Sequence, residues 1–143
     1  MKVYEDDLVA VAQSVECVIP GYLVVRLKPA GSTLGELGLR DAERLGAMLS
    51  RSARAIGSIV GAERVYCLSF CEVDPQLHFH LFPRTGWLLA AYHAGTGTRG
   101  QPVDGPALFG WARRAFPAGA ALPRAAAPDL ETACSRLRAA LAG

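Results

Sequence analysis

Leu45, Met48, Leu49, Ala53, Ile56, Ile59 and Val60, with Ser52 among them, recur at spacings of three and four. That period lays one stripe along one side of a helix and leaves the other side to Arg, Glu and Ser. Asp41 and Glu43 stand near its start, where the helix dipole favours acids, and Gly61 supplies the glycine that ends it. A long helix with one apolar side has to be covered, so the flanking segments decide the fold. They read with period two. LVAVAQ (8–13) and YLVVRL (22–27) are predicted strands, joined through the Pro20-Gly21 turn, and RVYCLSFCEV (64–73) alternates Tyr66, Leu68, Phe70 against Cys67, Ser69, Cys71. LKPAGSTLGELG (27–38) is a predicted loop, and TGWLLAAYH (85–93) reads as a further strand. DGPALFGWARRAF and PDLETACSRLRAALAG read as two closing helices, the second capped by Asp129 with Leu130, Cys134, Leu137 and Leu141 on one side. Strands first, one long helix in the middle and helices last predict an α+β domain with a largely antiparallel sheet.

A chain of 143 residues fits one domain, which can bury a core without disulfides or a structural metal. Its net charge of +2 gives no electrostatic case for a nucleic-acid partner. No apolar run reaches membrane-spanning length, and acidic residues occupy the start of MKVYEDDLVAVAQ, where a signal peptide needs basic ones. Cys17, Cys67, Cys71 and Cys134 lack CxxC spacing and read as buried free thiols. The expectation is a cytoplasmic protein with no membrane partner.

QLHFHLFPR (76–84) holds two of the three histidines. In a strand Gln76, His78 and His80 share one face about 7 Å apart, with Leu77, Phe79 and Leu81 on the core face. An imidazole whose Nδ1–H is fixed on a carbonyl can attack phosphorus through Nε2, while its neighbour donates to a phosphate oxygen or leaving group. The same pair also suits a zinc site, although no third ligand is indicated by spacing, or two imidazoles satisfied within an ordinary half-buried strand. These residues alone leave all three open.

The stretch QLHFHLFPR, with its Leu-Phe-Pro-Arg ending, resembles the His-x-His-x-His motif of the histidine triad superfamily, in particular its fragile-histidine-triad, dinucleoside-polyphosphate branch. VYEDDLVAVAQSVECVIPGYLVVRLKP is similar to that family's first hairpin, and LGELGLRDAERLGAMLSRSARAIGSIVG to its central helix. The resemblance implies one domain over 1–143, with the motif-bearing part at 3–93 and a C-terminal helical extension at 104–143. It implies a homodimer and a nucleotide phosphohydrolase. His78 would be the nucleophile that forms a nucleotidyl-histidine on a phosphoanhydride, phosphoester or phosphoramidate. His80 would contact the phosphate and leaving side, and Gln76 would support catalysis through its backbone carbonyl. The partner is a nucleotide or nucleotide conjugate, no cofactor is required, and Mg²⁺ would arrive only with a polyphosphate substrate. Alternatives are a nucleotidyl transferase sharing the intermediate and a non-catalytic nucleotide-binding protein. By position Ser14 falls on the family's ribose contact. Ile19 and Tyr22, with Val9 and Val24, would border the nucleoside, and Arg84 would add a phosphate contact.

Two family histidines are replaced. Gln76 stands at the first triad position and Tyr22 follows Pro20-Gly21, where relatives carry Pro-Gly-His. Neither side chain ionises near neutrality, and together they suggest a hydrogen-bonded neutral pair beneath His78. SFCEVDPQ is also shorter than the family's Gly-rich phosphate loop, which argues against the polyphosphate substrates. His93 reads as a strand-end residue and Trp87 and Trp111 as packing. Asp74 reads as a turn cap before Pro75, or with Glu72 as an orienter of water or His80.

Overall fold

A computed structural model describes all 143 residues. Five antiparallel strands, β1 (Lys2–Glu5), β2 (Val9–Gln13), β3 (Leu23–Leu27), β4 (Ala62–Leu68) and β5 (His78–Thr85), form one sheet ordered β1-β2-β3-β5-β4. The helices are α1 (Leu39–Val60), α2 (Gly86–Thr96), α3 (Gly105–Ala115) and α4 (Leu130–Ala142). The α+β expectation holds. No helix is long and apolar enough to cross a membrane.

Alternation along the strands makes two different sheet faces. Val9, Val11, Leu23, Val25, Leu27, Phe79 and Leu81 point to one, where they join Leu45, Met48, Ile56 and Val60 of α1 and Cys134, Leu137 and Leu141 of α4 in the main core. Each such side chain stabilises the fold by roughly 1.5–3 kcal/mol through area removed from water. The other face carries Ala10 and Ala12 of β2 and Val24 and Arg26 of β3, all half-buried. Only its far end is covered, where Tyr22 and Phe82 meet Leu88 and Tyr92 of α2 and Leu108 and Ala112 of α3 in a second core. The uncovered part is the space that a site can use.

The α1 stripe is close to expectation, except that Ala55 is buried where Ala53 is half-buried, and Asp41 alone falls in the first turn. Gly61 ends α1 in the left-handed region at φ 66°. Four expectations are corrected. Residues 85–93 are helical: Thr85 caps α2 by accepting from Leu88 N at 3.4 Å, and Leu88 and Tyr92 bury one helical side. The segment is apolar almost throughout, which hid its period. The strand expected over 64–73 stops at Leu68, and residues 69–73 leave the sheet and turn at Cys71. Residues 2–5 add an edge strand that was not foreseen, too short and mixed to show alternation. Cys17 and Cys134 are buried, but Cys67 is exposed and Cys71 half-exposed, all four being free thiols.

Gly21 shows why the turn before β3 needs its glycine. Its φ is +82°, and a Cβ there would sit 3.1 Å from Val60 Cγ1, so β3 enters hard against the end of α1. Gly21→Ala is expected to lower stability by roughly 1–3 kcal/mol, the usual range for a side chain forced into an unfavourable backbone region. Urea denaturation reads this directly, and an unchanged midpoint would mean that the turn relaxes freely.

Candidate functional site

A cavity of about 470 Å³ opens on the uncovered sheet face. Its floor is Ala10, Ala12, Val24 and Arg26 with His78 and His80 of β5. One wall is Ser14–Glu16, the opposite lip is Phe70–Asp74, and α3 sends in Arg113. Period two places both histidines here, because Phe79 between them is committed to the core.

His78 is 8% exposed and its Nδ1 lies 2.7 Å from the Gln76 carbonyl oxygen. A carbonyl only accepts, so Nδ1 carries the hydrogen, and in the neutral ring Nε2 keeps the lone pair. The Gln76 carbonyl is itself positioned. Gln76 stands at a bend before β5, its N–H donates to Asp74 Oδ1 at 3.0 Å, and Asp74 Oδ2 takes an ion pair from Arg26. Its side-chain amide donates to the carbonyls of Leu27 at 2.6 Å and Pro29 at 2.9 Å. Arg26 is the cross-strand neighbour of His78, so one cation ties the floor of the pocket to the loop that orients the ring. The lip turns sharply at Cys71, which adopts φ 55° with its Sγ 3.9 Å from His78 Nδ1.

His80 has a different partner. Its Nδ1 is 2.8 Å from the Tyr22 hydroxyl, and the two histidine rings are 5.0 Å apart. Tyr22 is fully buried, and burial raises its pKa, so its O–H stays protonated and needs an acceptor. His80 Nδ1 is the acceptor in reach. The Tyr22 O–H therefore donates to it, and the proton of the neutral ring sits on Nε2. Burial first, then proximity to His78 and Arg113, push the His80 pKa down to about 4. The pocket thus holds a lone pair on His78 beside an N–H donor on His80.

The expected Gln76–Tyr22 pair is not formed: Gln76 bonds to the end of β3, and Tyr22 to His80. Tyr22 and Ile19 are fully buried behind the pocket and cannot border a ligand, and Val9 belongs to the main core. Gln13, also buried, holds the turn that presents Tyr22 by donating to Ile19 O at 2.9 Å and accepting from Gly21 N at 3.1 Å. Ser14 and Val24 do line the cavity. Arg84 does not; it pairs with Glu63 at 2.9 Å. His93 ends α2, bonded to Thr98 Oγ1 at 2.8 Å. Arg26 and Arg113 gave no signal in the sequence: each is an isolated cation until the fold brings it to the histidines.

The His80 ring is expected to remain a neutral Nε2–H tautomer across pH 5–8 and to titrate near pH 4. An unfolded imidazole takes its proton at about 6.5. As pH falls, the unfolded state therefore binds the proton first, and stability from this group, full above about 6.5, drains away toward 4. Ring ¹⁵N shifts measured by NMR against pH test this; a midpoint at or above 6 would refute the desolvated environment.

No protein-family profile matches the sequence, and no curated protein does. Solved structures do. A histidine triad protein from Bradyrhizobium japonicum superposes with a TM-score of 0.61 at 18% identity, over 97% of this chain and 88% of that one. A hypothetical histidine triad nucleotide-binding protein from Sulfolobus tokodaii gives 0.59 at 15% identity, over 99% and 83%. The fold is that of the histidine triad proteins. A zinc-bound histidine triad protein from Mycobacterium smegmatis gives 0.57 at 19% identity, over 99% and 83%. In the present chain no three His, Cys, Asp or Glu residues converge as a metal site would require.

Proposed function

We propose that this chain, built on the histidine triad fold, is a nucleotide hydrolase of that type. His78 Nε2 attacks the phosphorus of a nucleoside 5′-monophosphate conjugate. The N–P bond forms as the bond to the leaving group breaks, and the leaving group takes a proton from solvent. Water then cleaves the nucleotidyl-histidine, returning a neutral imidazole and free nucleoside monophosphate. His80, neutral near pH 7, donates a hydrogen bond from Nε2 to a phosphoryl oxygen. The observation that carries this reading is the 2.7 Å hydrogen bond from His78 Nδ1 to the Gln76 carbonyl, which fixes the nucleophilic tautomer inside the cavity.

The surroundings narrow the substrate. A cavity of about 470 Å³ suits one nucleotide-sized molecule. Val15, Phe70 and Val73, among the few large apolar side chains left exposed, all lie on its rim, and Phe70 offers a ring on which a base can stack. Glu16, Glu72 and Asp74 outnumber Arg26 and Arg113 in the lining, and both arginines are ion-paired. This balance disfavours a polyphosphate and favours a leaving group with little negative charge, an amine or an alcohol. Mass spectrometry after brief incubation and a non-acidic quench is the test. Adenosine 5′-phosphoramidate is expected to leave a nucleotidyl adduct on His78 and release AMP, and diadenosine tetraphosphate to do so far more slowly. AMP binding with no adduct from either compound would sink hydrolysis and leave a binding protein.

A further inference from the structure

We infer that Arg113 is the phosphate-binding cation of this pocket, held by Glu16 when the pocket is empty and passed to the ligand's phosphate when a nucleotide enters. The inference rests on the nucleotide reading above and names the group that would recognise the nucleotide's charge.

Arg113 comes from α3, outside the motif-bearing part of the chain, and lines the same cavity as His78 and His80. It is aimed from beneath: its guanidinium carbon lies 5.5 Å over the Phe109 ring, and Phe109 packs against His80 at 6.2 Å and Tyr22 at 6.1 Å. Glu16, its ion-pair partner, is on the opposing wall. That wall is stitched to the end of α3 by Val18 N to Phe116 O at 3.1 Å and Ala118 N to Glu16 O at 3.0 Å. The two charges therefore face each other across a fixed seam.

Two arginines reach the pocket, and their partners decide between them. Asp74, which holds Arg26, also accepts from Gln76 N at 3.0 Å, so freeing Arg26 would loosen the loop whose carbonyl orients His78. The Glu16 carboxylate has Arg113 as its hydrogen-bond partner and is 67% exposed, so it can return to water at little cost. Exchanging a solvated carboxylate for a bidentate phosphate contact is favourable for a guanidinium. With His80 neutral near pH 7 and Arg26 tied to the Asp74 that braces the loop, Arg113 is the cation in this pocket free to move toward a phosphate.

The test compares AMP with adenosine by titration calorimetry on the whole chain. In the unmutated protein AMP is expected to bind more tightly than adenosine. Arg113→Ala should weaken AMP about tenfold, the scale of one charged hydrogen-bonding contact, and leave adenosine unchanged. Arg113→Lys should recover part of that loss, and Glu16→Gln should tighten AMP alone, because the competing carboxylate is gone. Equal loss of both ligands in Arg113→Ala, or no loss of either, would overturn the inference, as would a Glu16→Gln variant that binds AMP no better. An unmutated protein that binds AMP and adenosine equally keeps the nucleotide reading and removes the clamp. One that binds neither removes both.

Discussion

His78→Ala is expected to lower release of AMP from adenosine 5′-phosphoramidate by about a thousandfold or more, the scale seen when a covalent nucleophile is removed. The reasoning is specific to this ring. Its Nδ1–H is held by the Gln76 carbonyl at 2.7 Å, so the nitrogen left for attack is Nε2, and no other side chain in the cavity combines a lone pair with that fixing. The ring is 8% exposed, so truncation removes some packing from the pocket floor. It leaves Ala10, Ala12, Val24, Phe70 and Arg113 in place, and AMP affinity should stay within about threefold of the unmutated protein, as expected for a group acting mainly in the transition state. Single-turnover rates and equilibrium binding, measured on the same samples, separate the two effects. Turnover surviving in His78→Ala would mean that another group is the nucleophile.

The parts of this molecule that could be read in its sequence are those written in a local period. The α1 stripe, the alternation of Phe79 and Leu81 against His78 and His80, and the Asp129 cap each depend on residues a few positions apart. The Gln76 carbonyl contact is local too, from i to i+2, but its expectation comes from the resemblance to the histidine triad motif and not from the residues alone. Helix α2 was misread because Gly86–Thr96 is apolar on nearly every side although only Leu88 and Tyr92 are buried, so its one covered side leaves no visible 3.6-residue period. The pairing of Tyr22 was misassigned for another reason. Gln76 and Tyr22 are both neutral substitutes, and their chemistry allows a mutual bond. Only the register Leu23↔Leu81 and Val24↔His80 brings Tyr22 beside His80, beyond the reach of Gln76. Arg113 is a tertiary fact altogether: 33 residues beyond His80, it arrives through the packing of α3 on Phe82 and Tyr22.

The second large effect is expected from Tyr22→Phe. This change deletes one oxygen from a fully buried ring packed edge-on against Phe82 at 5.2 Å and Phe109 at 6.1 Å, so the fold keeps its shape. What is lost is the donor to His80 Nδ1 at 2.8 Å. Without it the neutral His80 ring is free to place its proton on Nδ1, and its Nε2 then presents a lone pair to the phosphate oxygens instead of a hydrogen. A donor becomes a repulsive acceptor in part of the population. Transition-state stabilisation should fall about ten- to hundredfold in kcat, within the range for one positioned donor, while KM for the nucleotide changes little because Arg113 and the apolar rim are untouched. The loss of a buried partner should also cost roughly 1–3 kcal/mol of stability. Ring ¹⁵N spectra distinguish this from general damage: Nε2–H in the unmutated protein should give way to a mixture of tautomers in Tyr22→Phe, in step with kcat. A variant with full activity and an unchanged tautomer would show that His80 is held by its surroundings and not by the tyrosine. Because Tyr22 and Gln76 hold different histidines, their substitutions should combine additively in stability to within about 0.5 kcal/mol. A larger coupling would restore the idea that the two replacements form one unit.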